Sequence, residues 1–277
     1  MNTELAEQHR TDRAGSVWEY VSASRLNLWL KCPLAFRLRY IDCVPEPSTP
    51  SLFIGKQVHQ GLERLYRRRQ LGLETELEEV TVPLLAGWEE AVNAEGLQFA
   101  SSQEEAKVRD QVVSLLAAYF QQLPADESRP LAVETSLSCP LIDPESGEDL
   151  GIPLVGIVDL VLAEEAGPVI ADFKTAASSK PPPDIQHEIQ LSCYSYLFRN
   201  LSGQQESALE IRSLVKTKTP QIAFHRYAPR QASHLRRLFL VIRAYLEDLD
   251  RGQFLYRPGW SCGMCNYRED HCQRWCG

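Results

Sequence analysis

Nowhere in these 277 residues does an apolar run approach the ~20 residues that a membrane span requires. The first fifteen residues are polar and mixed in charge, without the apolar stretch of an export signal, so a cytoplasmic protein with no membrane partner is expected. Internal repeats and low-complexity tracts are also missing, which excludes solenoid, fibrous and disordered classes. What remains is an ordinary globular composition, with length enough for one large core or two modest ones.

Net positive charge is lacking too: the formal charge is −8. Its distribution is uneven. Residues 1–70 hold 11 Lys/Arg and 7 Asp/Glu, residues 71–210 hold 6 and 25, and residues 211–277 hold 12 and 5. The ends are therefore basic and the middle acidic. If the ends meet, Arg64, Arg67, Arg68 and Arg69 on one side and Lys216, Lys218, Arg226, Arg230, Arg236 and Arg237 on the other could form a basic surface, or simply solvated helix faces.

Cysteine is not scarce, and with no export signal its eight copies point to metal or redox use rather than structural disulfides. Cys262, Cys265, Cys272 and Cys276 fall within the last fifteen residues before Gly277. Cys32, Cys43, Cys139 and Cys193 are scattered, and the last three read as ordinary buried thiols.

Hydrophobic spacing predicts helices over 25–31, continuing past Cys32-Pro33 to residue 40, and over 51–71, 76–94, 101–123, 184–201 and 230–251. Ser22 and Ser24 offer hydroxyl caps for the first. Strands are predicted over 131–141, 154–162, 169–173, 210–215 and 221–227. The order implies an α/β or α+β core wearing an N-terminal helical subdomain. The expected division is a polar tail at 1–20, a helical subdomain at 21–125, a core at 126–255 and a Cys-rich segment at 256–277. Residues 178–183 form a stiff, exposed loop.

The strands at 154–162 and 168–173 flank a turn-like Ala163-Glu164-Glu165-Ala166-Gly167 and read as a hairpin. Asp172-Phe173-Lys174 closes its second strand, thirteen residues after Gly156-Ile157-Val158-Asp159. Two carboxylates on adjacent strands can share Mg²⁺ or Mn²⁺, which prefer oxygen ligands. Lys174, two residues after Asp172, shares its strand face and could orient or deprotonate an attacking water or neutralise charge on a phosphate. His59 stands one step off the apolar stripe Ile54, Val58, Leu62, Leu65 and Tyr66, so it faces either a cleft, as a ligand, or a hydrogen-bond partner. Gln190 and Tyr194, four apart on a helix, share one face that could meet a phosphate or a base, or be plain polar surface.

In this order and at these gaps, Gly-x-x-x-His at 55–59, Gly-x-x-Asp at 156–159, Asp-x-Lys at 172–174 and Gln-x-x-x-Tyr at 190–194 resemble the PD-(D/E)XK nuclease superfamily, and more narrowly its RecB-like branch. Ser24-x-Leu26 followed by Cys32-Pro33-x-x-Phe36-x-x-x-Tyr40 is similar to the opening of that branch's iron–sulfur members. The resemblance implies a restriction-endonuclease-like fold with a mixed central sheet flanked by helices. It implies that Asp159, Asp172, His59 and the Phe173 carbonyl hold the metal, that Lys174 positions the attacking water, and that Gln190 and Tyr194 line the nucleic-acid path. Val158 replaces the proline of the family name.

The resemblance also implies that Cys32, Cys262, Cys265 and Cys272 hold a [4Fe–4S] cluster, with Cys276 as an alternative ligand. A zinc site built from the C-terminal thiols stays open on spacing alone. The expected function is a metal-dependent nuclease, an exonuclease on single-stranded DNA or DNA ends. No G-x-x-x-x-G-K-(S/T) motif is present, so unwinding would fall to a helicase or recombination partner. The rival readings are a non-catalytic scaffolding subunit of a helicase–nuclease complex and an iron–sulfur redox sensor.

Overall fold

The computed structural model describes residues 17–124, 126–178 and 184–275; the polar tail up to residue 16, most of the loop at 178–183, and Cys276 lie outside the described residues. Helix α1 (Ala23–Lys31) starts where the Ser22 hydroxyl accepts the Arg25 N–H, and α2 (Pro33–Tyr40) follows with proline at its first turn. Helix α3 (Pro50–Gln70) is capped in the same way, by the Thr49 hydroxyl. Its buried face carries Phe53, Ile54, Val58, Leu62, Leu65 and Tyr66 at three- and four-residue spacing.

The helix expected over 76–94 is two helices, α4 (Leu77–Ala86) and α5 (Trp88–Ala94), meeting at Gly87. Pro83 inside α4 removes a backbone donor near that junction, which favours the break. Helix α6 (Ser102–Gln122) completes the group.

Five strands follow: β1 (Pro130–Ile142), β2 (Asp149–Glu164), β3 (Gly167–Ala176), β4 (Ala208–Val215) and β5 (Gln221–Tyr227). They lie in chain order, all neighbours antiparallel except β3 and β4. That parallel pair needs a crossover, supplied by a short helical turn at Asp184–His187 and α7 (Glu188–Ser202). Helix α8 (Ala232–Arg251) closes the core.

The sheet is covered on both faces. Helices α3 to α6 pack over one face, on Val133, Leu160, Leu162, Phe173 and Leu214. On the other, α7 packs over Val158, Val161, Ile170, Leu209 and Ile211, and α1, α2 and α8 pack beside it. Among the described residues, no helix is long and apolar enough to cross a membrane.

The Cys-rich segment folds into short turns at Trp260–Met264 and Arg268–Cys272, and Tyr267 is buried against Leu34, Ala35 and Leu38 of α2. Cys139 and Cys193 are buried as expected, but Cys43 is exposed, in the chain that leaves α2. The backbone there turns left-handed, with φ 52°, and that turn carries the side chain off the core.

Candidate active site

In a regular strand, facing alternates at every residue. Here it slips in two places. On β2, Val161 faces α7 and Leu160 faces α3, yet Val158 and Gly156, of the other parity, also face α7. On β1, Ala132 and Leu137 both lie on the α7 side. The slips sit at Asp159 and Glu134, which stand opposite each other between the pairs Val133↔Leu160 and Thr135↔Val158. Glu134 takes φ 42°, a left-handed conformation that costs a non-glycine residue about 1–3 kcal/mol.

The β2–β3 ladder also ends here, at Leu160↔Ala171. Just beyond that pair, the Phe173 N–H donates to Asp159 Oδ2 at 2.7 Å instead of to a strand carbonyl. The two acids thus lie side by side where the hairpin opens. Two glycines let the helices approach. A Cβ on Gly156 would meet Leu197 of α7 at 2.8 Å, and one on Gly55 would meet the Thr175 hydroxyl at 3.3 Å.

His59 Nδ1 lies 3.7 Å from Asp159 Oδ2, and the ligand atoms of His59, Glu134 and Asp159 are all within 4.8 Å of one another. Asp172 stands just outside this group. It is 1% exposed, and its Oδ1 accepts from the Gln190 amide at 2.8 Å and the Tyr194 hydroxyl at 3.1 Å. Gln190 and Tyr194, which are also bonded to each other at 2.8 Å, turn these polar atoms onto Asp172 rather than onto an open path. Lys174 Nζ lies 2.5 Å from Asp172 Oδ2, but out of line for a hydrogen bond, and that buried oxygen accepts none.

Phe173 is buried, its ring enclosed by His59, Tyr66 and Tyr119 at centroid distances of 6.0, 5.7 and 5.8 Å. Behind it Arg212 donates to both tyrosine hydroxyls at 2.7 Å and pairs with Glu127 and Glu210. This packing fixes the backbone between Asp172 and Lys174.

Burial and then the Asp172 charge push the Asp159 carboxyl well above its ordinary value, with Lys174 opposing. Burial, Glu63 and Asp172 raise Glu134, with Arg67 opposing. Burial and Lys174 lower His59, so the imidazole is held neutral, as a ligand must be. The donor set fits a hard divalent cation: mutually repelling carboxylates, a neutral imidazole and a buried Asp172 oxygen that accepts no hydrogen bond and is balanced only by the Lys174 charge. The site opens into a cleft of about 680 Å³, lined also by Ser51, Lys56 and Lys216.

The family model of the PD-(D/E)XK nuclease superfamily matches residues 20–273. The chain belongs to this superfamily. A crystal structure from Eubacterium rectale, of a protein named provisionally as an exonuclease, is similar in fold: 13% identity, 97% of this chain and 93% of that one, TM-score 0.57. A structure of SSO0001 is a looser likeness on which nothing rests, with 15% identity over 82% of this chain and 97% of that one and a TM-score of 0.39. No curated protein matches the chain. PD-(D/E)XK membership supports a nuclease that uses divalent metal, and the mixed sheet flanked by helices is the expected restriction-endonuclease-like fold.

Sequence reasoning missed Glu134. Its signal was an acid inside a strand that pairs with the Asp159 strand, which becomes informative only once the register is known.

Proposed function

We propose that this protein is a RecB-like, divalent-cation-dependent deoxyribonuclease, an exonuclease on single-stranded DNA or DNA ends. The observation that carries the reading is the convergence of His59, Glu134 and Asp159 beside the Asp172–Lys174 pair at the mouth of one cleft. His59, Asp159, Asp172 and the Phe173 carbonyl would hold the cation, joined by Glu134. When bound, the cation supplies positive charge to the phosphate and acidifies attacking water.

The chain's own residues do the rest. Lys174, next to Asp172, orients the attacking water and offsets charge growing on the phosphate oxygens. Gln190 and Tyr194 hold Asp172 in one orientation, as partners of ligating carboxylates do. The neutral His59 keeps its lone pair available.

We read the C-terminal segment as an iron–sulfur clamp. Cys32, Cys262, Cys265 and Cys272 line one small cavity of about 90 Å³. Among the described residues no three of these sulfurs lie within 4.8 Å of one another. Four thiolates around one cavity suit a [4Fe–4S] cluster, and tetrahedral zinc is the alternative. The Arg257 N–H reaches Cys32 Sγ and the Gly259 N–H reaches Cys262 Sγ, each at 3.4 Å, the kind of bond that tunes such clusters. The role is structural, joining α1 and α2 to residues 256–275.

The test uses purified protein with Mg²⁺ or Mn²⁺ on end-labelled linear and on circular single strands. Loss of linear strands alone is expected; cleavage of circles would make the enzyme an endonuclease, and degradation persisting in EDTA would refute cation dependence.

A further inference from the structure

We propose that Lys216 and Ser51 form a second phosphate subsite in the active-site cleft, gripping the phosphodiester next to the scissile one. The proposal rests on the nuclease reading above and adds to it a group that no sequence motif marks. Lys216 directly follows β4, and its N–H donates to the Ala176 carbonyl at 2.8 Å. The parallel strands β3 and β4 therefore leave the sheet together, and Lys174 and Lys216 come to line the same cleft.

The Lys216 ammonium donates to Ser51 Oγ at 2.7 Å. Among the described residues no carboxylate pairs with it, in contrast to the other two lysines of the cleft. Lys56 pairs with Glu95 and Lys174 with Asp172, both at 2.5 Å. Partial burial lowers the Lys216 pKa with nothing charged to offset it. A half-buried ammonium left uncompensated is one that an anion would stabilise.

The cleft is thus divided. His59, Glu134 and Asp159 crowd one end and would take the cation, while Lys216 and Ser51 stand apart from them as donors. Ser51 precedes His59 by eight residues on α3, about 12 Å along the axis, which clears the reacting phosphate yet stays in reach of the same strand. The volume of about 680 Å³ leaves room for more than one phosphate.

The experiment combines binding and turnover. A fluorescent single-stranded oligonucleotide is titrated against Asp172→Ala protein in EDTA over a salt series, alone and with Lys216→Ala, Lys216→Arg or Lys107→Ala added. The same second substitutions are made in active protein, and melting curves confirm folding. Lys216→Ala is expected to raise KM and the dissociation constant about tenfold, with a smaller fall in kcat. The slope of log K against log salt should drop by about 0.7, one phosphate contact on a single strand. Lys216→Arg should retain most of the affinity. Lys107, exposed on α6, carries a charge of the same sign away from the cleft and controls for general electrostatics. Unchanged KM and slope in Lys216→Ala, or a change matched by Lys107→Ala, would overturn the subsite while leaving the nuclease reading intact. A Lys216-dependent slope in a protein that never cleaves would support the subsite and sink the nuclease reading instead.

Discussion

Phe173 donates its backbone N–H to Asp159 Oδ2 at 2.7 Å, so the residue between Asp172 and Lys174 is tied to the other acid of the site. Any shift of β3 against β2 moves all three groups at once. The geometry that the chemistry needs is therefore built into the hairpin, and the clearest consequences concern what that hairpin tolerates.

Glu134 combines a strained backbone with a carboxylate whose ionisation is disfavoured by burial and by acidic neighbours. Glu134→Gly should remove both costs and raise metal-free stability by about 1 kcal/mol, measurable by denaturant unfolding. The same change should cut cleavage about 10–100-fold, the range seen when a metal site loses a supporting group. Lower stability with full activity would show that Glu134 plays a packing role.

Asp159 has a folded pKa raised well above its unfolded value of 3.8. The sign follows: its contribution to metal-free stability is fully present below that value and is lost as pH rises through the folded pKa. Asp159→Asn should flatten this decline in EDTA. Cation binding must displace the proton, so Mn²⁺ affinity should climb with pH across the same window, with proton release detectable by calorimetry in buffers of different ionisation enthalpy. Affinity independent of pH would contradict this ligand assignment.

Tyr194→Phe removes one of the two hydrogen bonds to Asp172 Oδ1 and leaves Gln190 in place. A roughly tenfold loss in kcat is expected, with KM little changed, because the hydroxyl orients a ligand and is turned from the cleft. A rise in KM alone would instead favour the expectation that Tyr194 lines the nucleic-acid path.

Cys32 is the one proposed cluster ligand far from the others in sequence, so Cys32→Ser should abolish visible absorbance after anaerobic purification and lower the melting temperature. Colourless wild-type protein with stoichiometric zinc would replace the iron–sulfur reading.

Much of this was legible in the sequence because it is local. The hairpin, the D-x-K strand, the Ser22 cap and the amphipathic stripe beside His59 depend on neighbours a few residues away. Glu134 was hidden because its importance comes from strand register, a long-range property. The split at Gly87 was hidden because the apolar spacing continues through it.

The segmental charge was misleading in a specific way. Arg67, Arg68, Arg69, Arg226, Arg236 and Arg237 are paired with Glu63, Glu79, Glu127, Glu164, Glu145 and Glu188, so acids take up most of the basic surface that the ends seemed to promise. Lys216, inconspicuous in the same count, is the one that stands in the cleft without an acidic partner among the described residues.

The most direct test of the account is Mn²⁺-dependent degradation of end-labelled single-stranded DNA by wild-type, Asp172→Ala and Lys174→Ala proteins of matched purity and melting temperature. The account predicts rapid loss of substrate with wild type and a fall of at least about 10²-fold in each variant, the scale expected when charge stabilisation at a reacting phosphate is removed. Undiminished degradation by both variants would contradict it.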